Sequence, residues 1–347
     1  MPDADLPISH ATHLVPYVQF LDRIGTPIES ALEEMRLPAG ILHTPNCYVP
    51  TESLFGFVGK FARKEGIDGL GFQVAYATGL GLMGPTLAAK VCDCPTLLHA
   101  LQVFCRFVSK EASQFRAWIV EDEDEDEIRV YIHRTFQPGV LGYTQTEWIG
   151  VMAVVTTIQL FAGSRAEPSR ISLGTRSPVP TCAKQIFGDT KFLTRQPNVY
   201  IAFPRSMLTL PRRQHQADPR FDLPRSLSNS YAGPEPEADF AGRLMQCLEA
   251  HFVDGYPPIT LAAEFAGSSV RTLQRRLAKQ GVTYSEVVDR ARFDVASRLL
   301  TESDTPAIQV AYATAYSDPS HFARAFRRIA GVSPREYRAQ AMRRSAQ

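Results

Sequence analysis

Cysteine is sparse and unpatterned in this 347-residue chain. Cys47, Cys92, Cys94, Cys105, Cys182 and Cys247 share no repeated spacing, so no disulfide framework is expected. Cys92-Asp93-Cys94 has no second pair of ligands near it in sequence to complete a metal site. Structural thiols in a reduced compartment are the expected reading. His10, His13 and His43 also lack metal-ligand spacing and read as surface or internally satisfied residues. No Gly-Xaa-Ser-Xaa-Gly elbow, Gly-rich phosphate loop or His-Glu-Xaa-Xaa-His is read, so no catalytic residue, metal or cofactor is assigned. Met1 to Pro16 lacks the basic-then-apolar pattern of a signal peptide. The uncharged stretch Trp148 to Gly163 falls short of the ~20 residues that a membrane span needs, and reads as a buried or dimer-facing helix. A cytoplasmic protein with no membrane partner is expected.

A strong charge of one sign is missing too, but the formal net charge of +1 hides an asymmetry. Residues 240–347 hold 15 Lys and Arg against 10 Asp and Glu, while residues 1–239 hold 22 against 26. The basic excess is modest, so sequence-independent affinity for phosphates should be moderate and strongly salt-dependent. A Pro-rich stretch with Pro204, Pro211, Pro219, Pro224, Pro234 and Pro236 separates the two parts. Its composition suits a linker. The expected organisation is therefore residues 1–210 as one domain, 211–238 as linker and 239–347 as a second domain.

What the sequence does contain is one supersecondary unit written twice between Ile259 and Arg338. The first copy sets Ala263 where two helices must cross closely, Gly267 where a turn needs positive φ, and Ser269 as the N-cap of the following helix. Leu273 and Leu277 would bury one face of that helix. The other face presents Arg271, Gln274 and Arg275, which suit bidentate contacts with guanine and adenine edges. The second copy places Ala311 about 48 residues after Ala263. Ser317 or Asp318 can cap its second helix, and Pro319 sits in the first turn, where a missing N–H costs nothing. Phe322 and Phe326 would be the buried pair. Ser320, His321 and Arg324 face outward, and Arg327 and Arg328 are better placed for phosphates. Between the copies, Ser285 to Leu300 reads as a helix that fixes their separation, and Ala238 to Val253 as the first helix of the domain.

With these motifs and the closing Gly331-Val332-Ser333-Pro334-Arg335-Glu336-Tyr337-Arg338, residues 240–338 resemble the DNA-binding domain of the AraC/XylS family of bacterial transcription regulators. The resemblance implies an all-α domain with two helix-turn-helix units joined by a helix. The implied DNA-contacting residues are Ser269, Arg271, Thr272, Gln274, Arg275, Ser320, His321, Arg324, Arg327 and Arg328. One departure stands out: the family usually has Gly-Phe in the second turn, where this chain has Ala315 and Tyr316. Alanine at positive φ costs roughly 1 kcal/mol. The second turn is therefore expected to be mildly strained or differently shaped.

The N-terminal two-thirds mixes helical patterns (Val15 to Ile24, Glu29 to Met35, Glu52 to Lys64, Thr96 to Ser109, Thr146 to Phe161) with strand patterns (Phe115 to Val120, Ile128 to His133, Arg170 to Leu173, Asn198 to Phe203). An α+β sensor and dimerisation domain is expected. Glu121 to Glu127 reads as a solvated hairpin tip. Phe72 to Gly84, Thr96-Leu97-Leu98-His99-Ala100-Leu101 and Ile186-Phe187-Gly188 resemble the arabinose-binding-like domain of regulators of the ornithine-utilisation and mycobacterial virulence-regulator type. That resemblance implies a small-molecule effector and a homodimer. Lys90, Arg106 and Lys110 are available to hold a carboxylate, against a reading as surface cations, and no effector residue is assigned. The partners expected are double-stranded promoter DNA and a small effector, with RNA polymerase a further candidate. Two other readings stand beside an effector-controlled activator: a ligand-independent regulator whose N-terminal domain only dimerises, and a DNA-repair fusion with a zinc-held cysteine.

Overall fold

The computed structural model describes residues 6–42, 47–122, 126–134, 136, 139–213, 218–222 and 235–345. The chain divides into two compact units, one built from Pro7–Met35 with Thr51–Glu235, the other mainly from Pro236–Gln347 with Arg36–Pro50. Arg36–Pro50 thus joins the C-terminal unit, whereas the sequence reading kept it with residues 1–210. His43, and most of the expected linker, lie outside the described residues.

The first unit holds strand β1 (Ile8–His10) and helices α1 (Val15–Arg23), α2 (Ile28–Glu34), α3 (Thr51–Lys64), α4 (Leu70–Thr78), α5 (Pro85–Cys92), α6 (Leu97–Glu111), α7 (Tyr143–Ala162) and α8 (Thr181–Ile186). Strand β2 (Tyr48–Pro50) belongs to the other unit. Strands β3 (Phe115–Asp122), β4 (Glu127–Arg134), β5 (Arg170–Ser172), β6 (Lys191–Leu193) and β7 (Val199–Pro204) form one sheet in the order β3-β4-β7-β5-β6. All its pairings are antiparallel except β5 with β6. Period-2 patterning explains it: Ile128, Val130 and Ile132 of β4 turn inward, while the outer face carries Trp118 stacked on Tyr131 at 5.6 Å and Tyr131 against Tyr200 at 5.2 Å.

The uncharged stretch forms most of α7, which is buried along nearly its whole length and packs against α3, α4 and α6. A helix apolar all round belongs in the centre of a domain, and this resolves the buried-or-dimer-facing alternative for this segment. Its Thr157 hydroxyl donates to the Ala153 carbonyl at 2.9 Å, which satisfies it without a partner from another helix. Among the described residues, no helix is long and apolar enough to cross a membrane. Gly79-Leu80-Gly81-Leu82-Met83-Gly84 has the glycine spacing of a dinucleotide-binding loop but not its structural setting. It follows a helix instead of a strand and forms a 3-10 turn whose Leu80, Leu82 and Met83 are buried in the core, so it cradles no phosphate. At the expected hairpin tip, β3 and β4 pair out to Asp122 and Glu127. Glu127 is not a free solvated end: its carboxylate accepts from Ser169 and lies 3.9 Å from Arg170.

Within the expected linker, Phe221 is buried in the core of the first unit. Beside it Arg220 donates to Asp218 and lies over the Tyr76 ring at 4.4 Å. A lone aromatic in a Pro-rich stretch has no periodicity to betray this.

The second unit is helical apart from β2. Its helices are α9 (Phe240–Glu249), α10 (Ile259–Phe265), α11 (Val270–Lys279), α12 (Tyr284–Glu302), α13 (Ala307–Ala313), α14 (Pro319–Ala330) and α15 (Pro334–Ser345). Asp239 caps α9, whose Phe240, Leu244, Cys247 and Leu248 are buried. Helix α12 starts with a capping box, Thr283 and Glu286 each satisfying the other's backbone N–H. It packs on α9 at one side and on α13 and α15 at the other.

Candidate nucleic-acid interface

The two copies of the repeat fold alike down to their turn hydrogen bonds. In the first, Gly267 takes φ +55°, its N–H donates to the Glu264 carbonyl at 2.9 Å, and the Ser268 N–H reaches back to Ala263 at 2.9 Å. In the second, Ala315 takes φ +59°, its N–H donates to Tyr312 at 3.0 Å, and the Tyr316 N–H reaches Ala311 at 2.9 Å. Of the two geometries the sequence left open, the strained one is present: the turn keeps its shape and the alanine takes the left-handed conformation.

Ser269 caps α11 by accepting from the Thr272 N–H at 3.3 Å, and its hydroxyl also bonds the Thr272 hydroxyl at 3.1 Å. Leu273 and Leu277 are fully buried. Arg271, Gln274 and Arg275 are exposed on the opposite face, with no side-chain hydrogen bond or ion pair to another described residue. Arg276 turns away, its guanidinium 3.6 Å from the Phe240 ring, and ties α11 to α9.

At α14 the cap is Asp318, which accepts from the Ser320 N–H at 2.8 Å, with Pro319 following. That hydrogen bond holds the carboxyl below its usual range. Phe322 and Phe326 are buried, their rings 5.7 Å apart. Ser320, His321 and Arg324 are exposed, and the His321 ring stands edge-on to Tyr316 at 5.7 Å. Arg328 is paired with Asp289 at 2.7 Å, and Arg327 lies 3.7 Å from Glu336. All ten sequence-assigned residues are therefore solvent-exposed, but the two N-termini differ. A neutral serine caps α11 and an ionised aspartate caps α14, where its negative charge would oppose an anion at that helix N-terminus.

Sequence reasoning missed Arg292. Its guanidinium, from the middle of α12, donates to the carbonyls of Thr314 and Ala315 and lies 3.6 Å from the Tyr316 ring. It clamps the second turn onto the linking helix. The one signal was its position, four residues after Val288 on the apolar stripe of α12.

Other candidate sites resolve as structural. Cys92 and Cys94 are buried, and burial raises both thiols, the reverse of an activated nucleophile. His10 and His13 are buried and bonded to Thr12 at 2.8 Å and Leu82 at 2.7 Å. Among the described residues no group of three or more His, Cys, Asp or Glu could hold a metal ion.

Comparison with known proteins agrees with this architecture. The family model described as the arabinose-binding domain of AraC transcription regulators, N-terminal, matches residues 25–212, and a helix-turn-helix domain model matches residues 262–340. The transcriptional regulator VirS of Mycobacterium tuberculosis is 24% identical over 337 residues, 95% of this chain and 96% of its own. The ornithine utilization regulator of Pseudomonas aeruginosa is 36% identical over 83 residues, 24% of each chain. The transcriptional activator RhaS of Escherichia coli is 37% identical over 105 residues, 30% of this chain and 37% of its own. With two helix-turn-helix units on one linking helix and a matching N-terminal domain, this chain belongs to the AraC family of DNA-binding transcription regulators.

Proposed function

We propose that the protein is an effector-controlled transcription activator that reads one promoter site with two helices of a single chain. Helix α11 enters one major-groove segment, where Arg271, Gln274 and Arg275 contact base edges. Helix α14 enters the next, about one helical turn away, with Ser320, His321 and Arg324. Ser269, Thr272, Arg327 and Arg328 set the register through phosphates. The observation that carries this reading is the bare Arg271–Gln274–Arg275 face, three polar side chains held on a helix fixed by its buried leucines. Desolvating side chains already paired would cost more, and for that reason Arg328 on Asp289 is assigned to phosphates.

Effector control by the N-terminal unit is supported by the small-molecule name of its family model, and activation by the name of the RhaS relative. A second copy of the chain and RNA polymerase complete the proposed partners, the protein acting by binding, without catalysis, in a bacterial cytoplasm. Selection of bound sequences from a random DNA pool, followed by footprinting, tests the reading. The expected result is two protected segments centred about 10 base pairs apart. A single protected segment, unaltered by loss of the α14 side chains, would remove the second reading helix.

A further inference from the structure

The N-terminal unit carries a cleft of about 470 Å³ between the C-terminal half of α3, the turn before α4, the first turns of α7 and the segment that leads into α8. That volume lies within the ~300–1,000 Å³ of small-molecule sites. Its walls are mixed. Leu141, Pro178 and Pro180 offer apolar surface, while Arg63, Asp68 and Gln145 offer polar groups.

Close backbone contact builds the site. Gly59 of α3 abuts Gly142, the N-cap position of α7, and a Cβ added at Gly59 would run into the Gly142 backbone. Arg63 follows Gly59 by four residues and so stands on the same face of α3, one turn along from the start of α7. On α7 itself, Thr144 and Gln145 precede Trp148 by four and three residues, which sets all three on one side of the helix. Gly142 takes φ +82°, and no side chain caps the helix.

Four donors are left open here. The Tyr143 and Gln145 N–H groups donate to the Val140 and Gly142 carbonyls at 3.0 Å, whereas the Thr144 N–H between them meets no acceptor among the described residues. The Gln145 side-chain oxygen accepts from the Gly71 N–H of α4 at 2.8 Å, which leaves the hydrogens of its amide nitrogen free. Arg63 is exposed, with no hydrogen bond or ion pair to another described residue. Trp148 supplies the fourth donor. Only 1% of this residue is exposed, yet its indole N–H bonds no described residue and is not among the polar atoms sealed from solvent. A buried donor ordinarily has a partner, and the space onto which this one opens is the cleft that Trp148 lines.

The sign of charge selects the ligand. Four donors with no free acceptor among them match an anion, and the start of a 20-residue helix adds the positive end of its dipole. The acid on the wall, Asp68, is exposed and pairs with neither Arg63 nor any other described cation, so solvent screens it. Lys90, Arg106 and Lys110, the cations first considered for a carboxylate, gather instead around the Phe107 ring at 4.9, 5.5 and 4.8 Å, and none of them lines this cleft. A compact inorganic anion would leave most of the volume unfilled. Leu141 is 40% exposed and, with Pro178, gives a carbon tail a surface to cover.

We infer that this cleft binds a small organic carboxylate, its oxygens taking the Thr144, Gln145, Trp148 and Arg63 donors at the start of α7 and its carbon tail lying across Leu141 and Pro178. To call that carboxylate the effector rests on the effector-controlled reading above. Because Arg63 is open to solvent, affinity should fall as salt rises.

Calorimetric titration of the full chain with hexanoate, n-hexanol, n-hexylamine and inorganic phosphate tests this. Hexanoate is expected to bind at least tenfold tighter than each of the others. Arg63→Gln should weaken hexanoate at least tenfold and leave hexanol unchanged, and an exposed site tolerates the change without loss of the fold. The chain has two tryptophans, so Trp118→Phe leaves Trp148 as the sole indole, and hexanoate should change its emission. Hexylamine or phosphate binding as tightly as hexanoate, an affinity untouched by Arg63→Gln, an unchanged Trp148 emission with hexanoate bound, or no binding of hexanoate would each overturn the inference. DNA affinity measured in the same solutions separates the two readings. Hexanoate bound through Arg63 with unchanged DNA affinity upholds the site and removes effector control of DNA binding, while a DNA response to hexanoate that survives Arg63→Gln does the reverse.

Discussion

Arg292 Nε donates to the Thr314 carbonyl at 2.7 Å, across the gap between the linking helix and the turn of the second helix-turn-helix. A second guanidinium nitrogen takes the Ala315 carbonyl, and the same plane lies over Tyr316 and 5.4 Å from Tyr256. One buried cation thus joins the second turn to the segment that precedes α10. Replacement of Arg292 by Met keeps the volume and leaves both carbonyls unpaired. We expect a loss of about 2–4 kcal/mol in urea unfolding of the C-terminal unit. Lysine should restore little of it, because a point charge cannot span two carbonyls.

Ala315 and Gly267 occupy matching turns at φ +59° and +55°. Substitutions at the two sites should therefore act in opposite directions. Ala315→Gly is expected to stabilise by about 0.5–1 kcal/mol, the relief of left-handed strain exceeding the added freedom of the unfolded chain. Gly267→Ala should cost about 1 kcal/mol. No atom lies within 4 Å of a Cβ built at Gly267, so that cost is conformational and not steric. Melting temperatures that moved the same way in both variants would refute the equivalence of the turns.

Arg275 is exposed on α11 with no side-chain partner among the described residues, whereas Arg328 is tied to Asp289. Arg275→Ala is expected to cost roughly 1–3 kcal/mol of binding, concentrated at one base position of the selected site. Arg328→Ala should weaken all sequences alike and lower the slope of log affinity against log salt by about 1. A uniform loss for Arg275→Ala would reassign it to phosphate positioning.

The legibility of this chain follows from how local each signal is. Ser269, Leu273 and Leu277, Phe322 and Phe326 were readable because caps and buried stripes depend on neighbours within two helical turns. The left-handed Ala315 was readable because the first copy supplies its template in Gly267. Arg292 was not, since its partners lie 22 and 23 residues away and no local rule pairs an arginine with turn carbonyls. Arg36–Pro50 and Phe221 failed for the same reason: composition says that they are apolar or Pro-flanked, not which core receives them. Glu111 lies just past the end of the helix read from the sequence, Thr96 to Ser109, and no local pattern singles it out. Only the folded chain places it beside His13, 98 positions earlier in the sequence.

The same pair sets a pH dependence of stability whose two halves have opposite sign. Burial raises the Glu111 carboxyl from 4.5 to about 8, so between those values the folded chain keeps a proton that the unfolded chain releases. Stability from this group therefore falls as pH rises through that window. His13 is lowered from 6.5 to about 4, so the unfolded chain takes up a proton as pH falls below 6.5 and stability falls with it. From pH 4.5 to 6.5 the two slopes oppose each other. Above 6.5 only Glu111 remains, and it should remove on the order of 2 kcal/mol by pH 8. Glu111→Gln cannot release a proton, so it should flatten urea midpoints over pH 6.5–8 and gain most over wild type at the upper end. A variant that tracked the wild-type slope would mean that the carboxyl is already ionised in the folded protein.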